Sequence, residues 1–368
     1  MIPTRPLAIA HFDTGLNLRG GQRQLLILAR ILRQRGHRQI IICPEGCALE
    51  ARARAEQFAC FALPIHDPAH AHGILQLRQY LDNQPCDILH AHDGKGQTVA
   101  WLATAGMRVR RIATRRVTFV PNQRWTQRLK YTRTCDAVIA VSDFIRQILL
   151  RAGVPTSKIE LIPDGIEIPP ELPSQAARAQ ARARWGFGQD DFVAGHLGAF
   201  TSEKGQDVAL EAFLLLADRV PKARLLLAGN GPALRNAGII QLIRELGDRV
   251  RLCGEIENLA EFFPALDLFV MPSKSEGLGS AALIAMSYGL PVAASRAGGL
   301  PEIVEEARTG WLIQPGSPSA LSDAIVSAAD DPERRKQYGL NGRERARQFS
   351  IDIMADRTET LYTRLLHA

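Results

Sequence analysis

Short apolar runs recur along the chain, separated by longer stretches whose apolar residues fall at helical spacing. Residues 7–12 (LAIAHF), 39–44 (QIIICP), 87–92 (DILHAH), 111–116 (RIATRR), 136–141 (DAVIAV) and 158–163 (KIELIP) read as buried strands. Between the first two lies GQRQLLILARILRQRGH, residues 21–37, an amphipathic helix closed by Gly36. The pattern then repeats: residues 192–200, 223–229, 249–254, 268–273, 291–295 and 310–315 alternate with helical stretches. Strand–helix alternation means parallel sheets with helices on both faces, and two such sets mean two doubly wound α/β domains. The boundary falls in the proline- and acid-rich IPDGIEIPPELPS, residues 162–174. The expected division is 1–168, 169–350, and a C-terminal helix over 351–368 that packs back on the first domain. The basic stretch QAARAQARARWGFGQDD reads as a connector without chemistry, and no solenoid period is visible.

A chain of 368 residues exceeds one ordinary core, which agrees with two domains. A hydrophobic fraction of 46% with 23% charged residues is that of a soluble globular protein. No apolar run is long enough to span a bilayer, and MIPTRPLAIAHF is too short in its apolar part for a signal peptide. A cytoplasmic protein is expected. The six cysteines fit that compartment as reduced thiols; Cys43 and Cys47 lie close, but no second pair or histidine follows at zinc spacing.

The net charge of +7 is unevenly spread. Residues 108–133 hold nine lysines or arginines and no acid, with Phe119, Trp125 and Tyr131 among them. A solvated face is one reading of such a block. A surface for anionic partners is the other, with Arg115, Arg116, Arg124, Arg128 and Lys130 as candidates for acceptor or membrane contact. The mixture would also suit single-stranded nucleic acid, but no nucleic-acid module accompanies it, so no nucleic-acid partner is expected.

Open parallel sheets bind ligands beyond the carboxyl ends of their strands, so chemistry belongs in the loops after strands. Gly20 and Gly21 precede the first helix, where backbone N–H groups can meet an anion. His90 and His92 lie two apart on one side of a strand; a metal would need a third ligand that the sequence does not show. His92 at a polar strand end can instead hydrogen-bond a sugar hydroxyl or a phosphate. In the second half, Lys204 and Gly205 stand just before a helix, where a lysine opposes the helix dipole unless an anion lies between them. AGNGP (228–232) is a further glycine turn. EGLG (276–279) precedes SAALIAMSYG, so the N–H groups of Leu278, Gly279 and Ser280 can hold a diphosphate while Glu276 accepts from neutral hydroxyls. GLGSAA also fits a dinucleotide fingerprint with Glu302 downstream, but four residues separate it from its strand, which makes a nicotinamide site a weak reading.

These residues resemble a known family. SEGLGSAALIAMSYGLPVAAS with AGGLPEIV is similar to the donor-binding segment of the family 4 retaining glycosyltransferases (glycosyl transferases group 1). RGGQRQ, DILHAHDGKG, TRRVTF, AVSDFIRQILLRAGVPTSKIELIPDGIE, EKGQDVALEAF, ARLLLAGNGP and FSIDIM occur in that family's order. TRRVTF resembles members that build lipopolysaccharide or other bacterial envelope glycans. The resemblance implies the GT-B fold, two Rossmann-like domains facing across a cleft. It implies a nucleotide-sugar donor held by the second domain, a glycan or glycolipid acceptor presented by the first, and a peripheral place at the inner face of the cell membrane. It implies that Lys204 pairs with the donor diphosphate and that Glu276, Gly277, Leu278 and Gly279 hold sugar and phosphate, with Gly20, Gly21 and His92 completing the site. No metal or other cofactor is expected, since Lys204 and backbone donors can neutralise the departing diphosphate. No pair of carboxylates suits a double displacement; retention is what the family implies. Two positions depart from the family. Ile284 stands where a ribose-binding glutamate is usual, and Ala199 stands where an arginine often assists the lysine. They keep a second reading open: a catalytically silent nucleotide- or glycan-binding partner of such an enzyme.

Overall fold

The computed structural model describes residues 5–64, 71–119 and 125–367. The chain forms two compact units, one of Met1–Gly165 with Ile351–Ala368 and one of Ile166–Ser350.

Among the described residues the first unit is built on seven parallel strands: β1 (Ala8–Phe12), β2 (Arg38–Pro44), β3 (Ala59–Leu63), β4 (Ile88–Ala91), β5 (Arg110–Arg115), β6 (Ala137–Ala140) and β7 (Ile159–Leu161), in the order β3-β2-β1-β4-β5-β6-β7. The order reverses between β1 and β4, whose register pairs His11 with His90. The central strands are almost wholly buried, which is why their sequences are continuous apolar runs. Strand β3 has no such run: it lies at the sheet edge, only Leu63 of it is fully buried, and its alanines and cysteine gave no strand signal. Helix Gly20–Gln34 lays Leu25, Leu28, Ile31 and Leu32 on the core, and Gly36 ends it in the left-handed region.

The helix Ile351–His367 belongs to this unit, returning after the whole of the second one. Met354, Ala355, Leu361 and Tyr362 pack with Leu28, Ile31 and Leu32. Glu359 receives Arg35 at 2.7 Å and His37 at 2.9 Å, and the Tyr362 hydroxyl lies 2.6 Å from His90 Nδ1. Truncating a buried leucine in such a contact costs about 2–5 kcal/mol, so this helix is part of the unit's core.

The second unit repeats the architecture with six parallel strands: β8 (Phe192–Leu197), β9 (Ala223–Ala228), β10 (Val250–Gly254), β11 (Leu268–Met271), β12 (Val292–Ser295) and β13 (Gly310–Ile313), in the order β10-β9-β8-β11-β12-β13. Here the order reverses between β8 and β11. The basic stretch before β8 is the helix Gln175–Trp185, and it is more than a connector. Fully buried Arg182 donates to Asp267 at 2.6 Å and to the carbonyls of Ala265, Gly188 and Gln189, and Arg178 takes the other Asp267 oxygen. Asp267 also accepts from the Val193 N–H, so the triad ties the starts of β8 and β11 together. A buried charge is tolerable only with such complete pairing.

Candidate functional site

In the second unit the loops after β8 and β11 meet at the order reversal. Gly205 makes the meeting possible: its φ is +72°, and a Cβ there would lie 2.1 Å from the Pro272 carbonyl oxygen. A side chain at 205 would therefore push apart the loops carrying Lys204 and Glu276. With glycine there, Lys204 Nζ donates to Glu276 Oε2 at 2.7 Å, and Ser273 Oγ stands 3.5 Å from the same oxygen. The turn after β12 backs the main chain of Glu276. The Gly299 N–H donates to the Glu276 carbonyl at 3.0 Å, and a Cβ on Gly298, whose φ is +57°, would strike that carbonyl oxygen.

Two helices start here without a side-chain cap, Gln206–Leu215 after Gly205 and Ser280–Ser287 after Gly279. First-turn N–H groups lack intrahelical partners, so both starts offer donors to an anion. Lys204 and Glu276, apart by 72 positions in sequence, are thus brought together beside the Gly277–Gly279 turn. Ile284 is half-buried in the second turn of its helix, and Ala199 serves through its carbonyl, which accepts from Gln206 Nε2 at 2.9 Å. Sequence reasoning missed Gln206 and His196. His196 Nδ1 donates to the Val270 carbonyl and its Nε2 faces Gln206, and burial holds the ring neutral, with a pKa lowered to about 4. The pair fixes the Gly198–Ala199 backbone ahead of Lys204. Its signal in the sequence was a histidine inside an apolar strand.

In the first unit the loops after β1, β4 and β5 gather at the β1–β4 reversal. Two carboxylates shape them, and neither was singled out in the sequence. Asp13, directly after β1, accepts from the Gly15 N–H at 2.8 Å and from Gln22 Nε2 at 2.7 Å. Asp93, two residues past the end of β4, caps the helix Gly94–Ala103 through the N–H groups of Lys95 and Gly96 and also takes the N–H and hydroxyl of Thr14. Burial raises the Asp13 pKa, and the neighbouring Asp93 adds to the rise. Asp-Gly before a helical run is the local signal that points to Asp93. Gly20 faces open space, and Gly21 lies against the Arg116 side chain.

His92 is placed differently from its expected role. It is buried, its Nε2 lies 3.0 Å from His11 Nδ1, and its Nδ1 lies 3.4 Å from Arg116 Nη1, so both ring nitrogens have protein neighbours. His11 is the third histidine that the sequence reading lacked, and one nitrogen each of His11, His90 and His92 falls within 4.8 Å of the others. The set suits hydrogen bonding better than a cation. Tyr362 and Thr114 occupy the two nitrogens of His90 at 2.6 Å each, no carboxylate among the described residues joins the three rings, and a guanidinium abuts His92.

The basic block also needs correction. Arg115 is buried and donates to the Tyr131 hydroxyl and the Phe119 carbonyl, while Arg116 forms a fork with Asp164 at 3.0 and 3.1 Å. Both lie at the end of β5, an inner strand, where a side chain meets protein rather than solvent. Lys130 is half-buried near Gly94, and burial lowers its pKa. Arg124 lies outside the described residues, as does the side chain of Arg128, which sits in the helix Trp125–Arg133. Arg108, Arg133, Val117 and Phe119 are exposed.

A doubly wound sheet, built twice in one chain and each time carrying its polar loops where the strand order reverses, is the GT-B class of fold. Solved structures share it: Anabaena HepE, in complex with UDP and glucose, superposes with a TM-score of 0.85 at 22% identity over 96% of this chain and 99% of that one. WaaG, a glycosyltransferase involved in lipopolysaccharide biosynthesis, gives 0.74 at 16% identity over 96% and 98%. The family model for glycosyltransferase family 4 matches residues 18–168, and that for glycosyl transferases group 1 matches residues 177–345. The chain belongs to this family and is a glycosyltransferase. The D-inositol 3-phosphate glycosyltransferase of Streptomyces scabiei is 29% identical over 333 residues, 83% of this chain and 74% of that protein.

Proposed function

We propose that the protein transfers a hexose-type sugar, with retention, from a nucleotide-sugar donor to a glycan or glycolipid acceptor in envelope glycan assembly of the lipopolysaccharide kind. The observation that carries this reading is the Lys204–Glu276 pair at 2.7 Å between two uncapped helix starts. A donor presents a diphosphate and neutral hydroxyls side by side, and the pair offers a cation and an acceptor side by side. When donor binds, the Lys204 ammonium and the first-turn N–H groups face the diphosphate, and Glu276 accepts from a sugar hydroxyl. As the anomeric C–O bond breaks, negative charge grows on the diphosphate, and these fixed donors stabilise it more than they stabilise the ground state. Charge neutralisation by lysine and backbone leaves no step that needs a metal ion.

Ile284 supports a donor held without a glutamate at the ribose, so its replacement acts on affinity. The first unit takes the acceptor through the loops shaped by Asp13 and Asp93. Exposed Arg108, Arg133, Val117 and Phe119 fit a phosphorylated or lipid-linked acceptor at an anionic membrane surface, with the protein peripheral on the cytoplasmic side. Among the described residues no helix is long and apolar enough to cross a membrane. Ile284 and Ala199 favour one competing reading, a silent binding partner. A donor panel read by thermal shift, followed by nucleoside diphosphate release with acceptor, separates the two. Release marks the enzyme, whereas a shift without release marks the silent partner.

A further inference from the structure

We infer that Arg116, anchored by Asp164, is a positioning residue that gives the buried hydrogen-bond chain Arg116–His92–His11–Gln39 a single direction across the β1–β4 reversal. The inference deepens the proposed function, since it rests on the loops after β1 and β4 taking part in transfer.

The direction follows from donor and acceptor chemistry. A guanidinium only donates, so Arg116 Nη1, 3.4 Å from His92 Nδ1, requires that nitrogen to carry no proton. His92 then holds its proton on Nε2 and donates to His11 Nδ1 at 3.0 Å. His11 in turn holds its proton on Nε2 and donates to Gln39 Oε1 at 2.9 Å. The reverse sense fails at its far end. Turning the Gln39 amide would move the His11 proton to Nδ1 and the His92 proton to Nδ1, and an N–H would face the guanidinium. Protonating either ring likewise sets donor against donor, and burial of all three histidines already disfavours the charged form.

Asp164 explains why the arginine stays put. It is buried and grips the guanidinium with both oxygens, so cation and anion are neutralised together. The chain crosses from the segment after β7, through the end of β5, to β4, β1 and β2. His11 stands two residues before Asp13 and His92 one before Asp93, the two carboxylates that hold the Thr14–Gly15 backbone and the start of the helix Gly94–Ala103. A fixed tautomer at His92 thus fixes the spacing of the two strand ends that carry the loops. His92 works through its neighbours, and its two nitrogens are committed.

The test is long-range 15N–1H spectroscopy of the histidine rings in the full-length protein, joined to kinetics. In the wild type at neutral pH, His92 and His11 are expected as single neutral tautomers with the proton on Nε2. Arg116→Met combined with Asp164→Asn removes the cation without burying a lone anion; His92 should then show mixed tautomers. Its kcat should fall about 10- to 100-fold, the scale of a slightly misplaced site, with donor KM little changed. Arg116→Lys with Asp164 intact should restore the His92 Nε2–H signature. A wild-type His92 with its proton on Nδ1 overturns the inference, as does a double variant with unchanged tautomers. Wild-type signals as stated, with no transfer from any donor, would leave the hydrogen-bond chain standing and remove the transferase reading instead.

Discussion

Replacing Lys204 by methionine keeps the alkyl stem and removes the charge. In the ligand-free protein this breaks a 2.7 Å charge-assisted bond to Glu276, whose side chain is 13% exposed and which keeps Ser273 Oγ at 3.5 Å. The pair is neither fully buried nor free in solvent, so its loss should cost about 1 kcal/mol of stability, roughly 2–4 °C in Tm for a unit of this size. The catalytic cost is larger, because the ammonium meets a diphosphate whose charge grows in the transition state. Loss of one such donor corresponds to about 2–4 kcal/mol, or roughly a 30- to 900-fold fall in kcat/KM. Glu276→Gln separates the two roles: it frees Lys204 for the diphosphate and keeps one acceptor, so donor affinity should hold better than turnover. The assay is initial-rate kinetics with a donor chosen by thermal shift, with melting curves alongside. Wild-type kcat/KM in Lys204→Met, given an intact fold, would refute the assignment of Lys204 to the leaving group.

Four further outcomes are expected. Gly205→Ala adds a Cβ 2.1 Å from the Pro272 oxygen at a φ of +72°, so it should lower Tm and abolish the donor-induced thermal shift; a retained shift would show that the two loops need not touch. Ile284→Glu should change donor KM far more than kcat at saturating donor, and a change confined to kcat would place residue 284 at the reacting atoms. Transfer should continue in excess chelator, and loss of activity restored by a divalent ion would contradict the neutralisation proposed for Lys204. Burial lowers the His11 pKa to about 4 against about 6.5 unfolded, and lowers His90 and His92 in the same direction, with Arg116 beside His92. Unfolded rings therefore bind protons that folded ones do not, so this stability is whole above about pH 6.5 and is lost as the pH falls toward 4. His11 alone accounts for about 3 kcal/mol, and a flat urea midpoint between pH 7 and 4.5 would refute it.

The parts legible in the sequence were those written locally. Buried parallel strands show as unbroken runs such as QIIIC and LLLA, and Lys204-Gly205 and Glu276-Gly277 stand at loop-to-helix junctions that a short window contains. Edge strand β3 lacked the run because one side of it meets solvent. What stayed hidden depends on strand order. His11, His92, Arg116 and Asp164 come from four separate segments and meet only because β1, β4 and β5 are adjacent and the chain leaving β7 returns over their ends. The basic block misled for the same reason. Counting charges from 108 to 133 treats them as one face, whereas an inner strand sends Arg115 and Arg116 into hydrogen-bonded interiors.

Proton NMR of the product made by the wild-type protein from its selected nucleotide sugar and acceptor tests the central claim most directly. Nucleoside diphosphate should appear in step with a new glycoside whose anomeric configuration matches the donor's, and the signal should collapse in Lys204→Met. A donor that raises Tm but yields no diphosphate and no glycoside, or a glycoside of inverted configuration, would contradict the account.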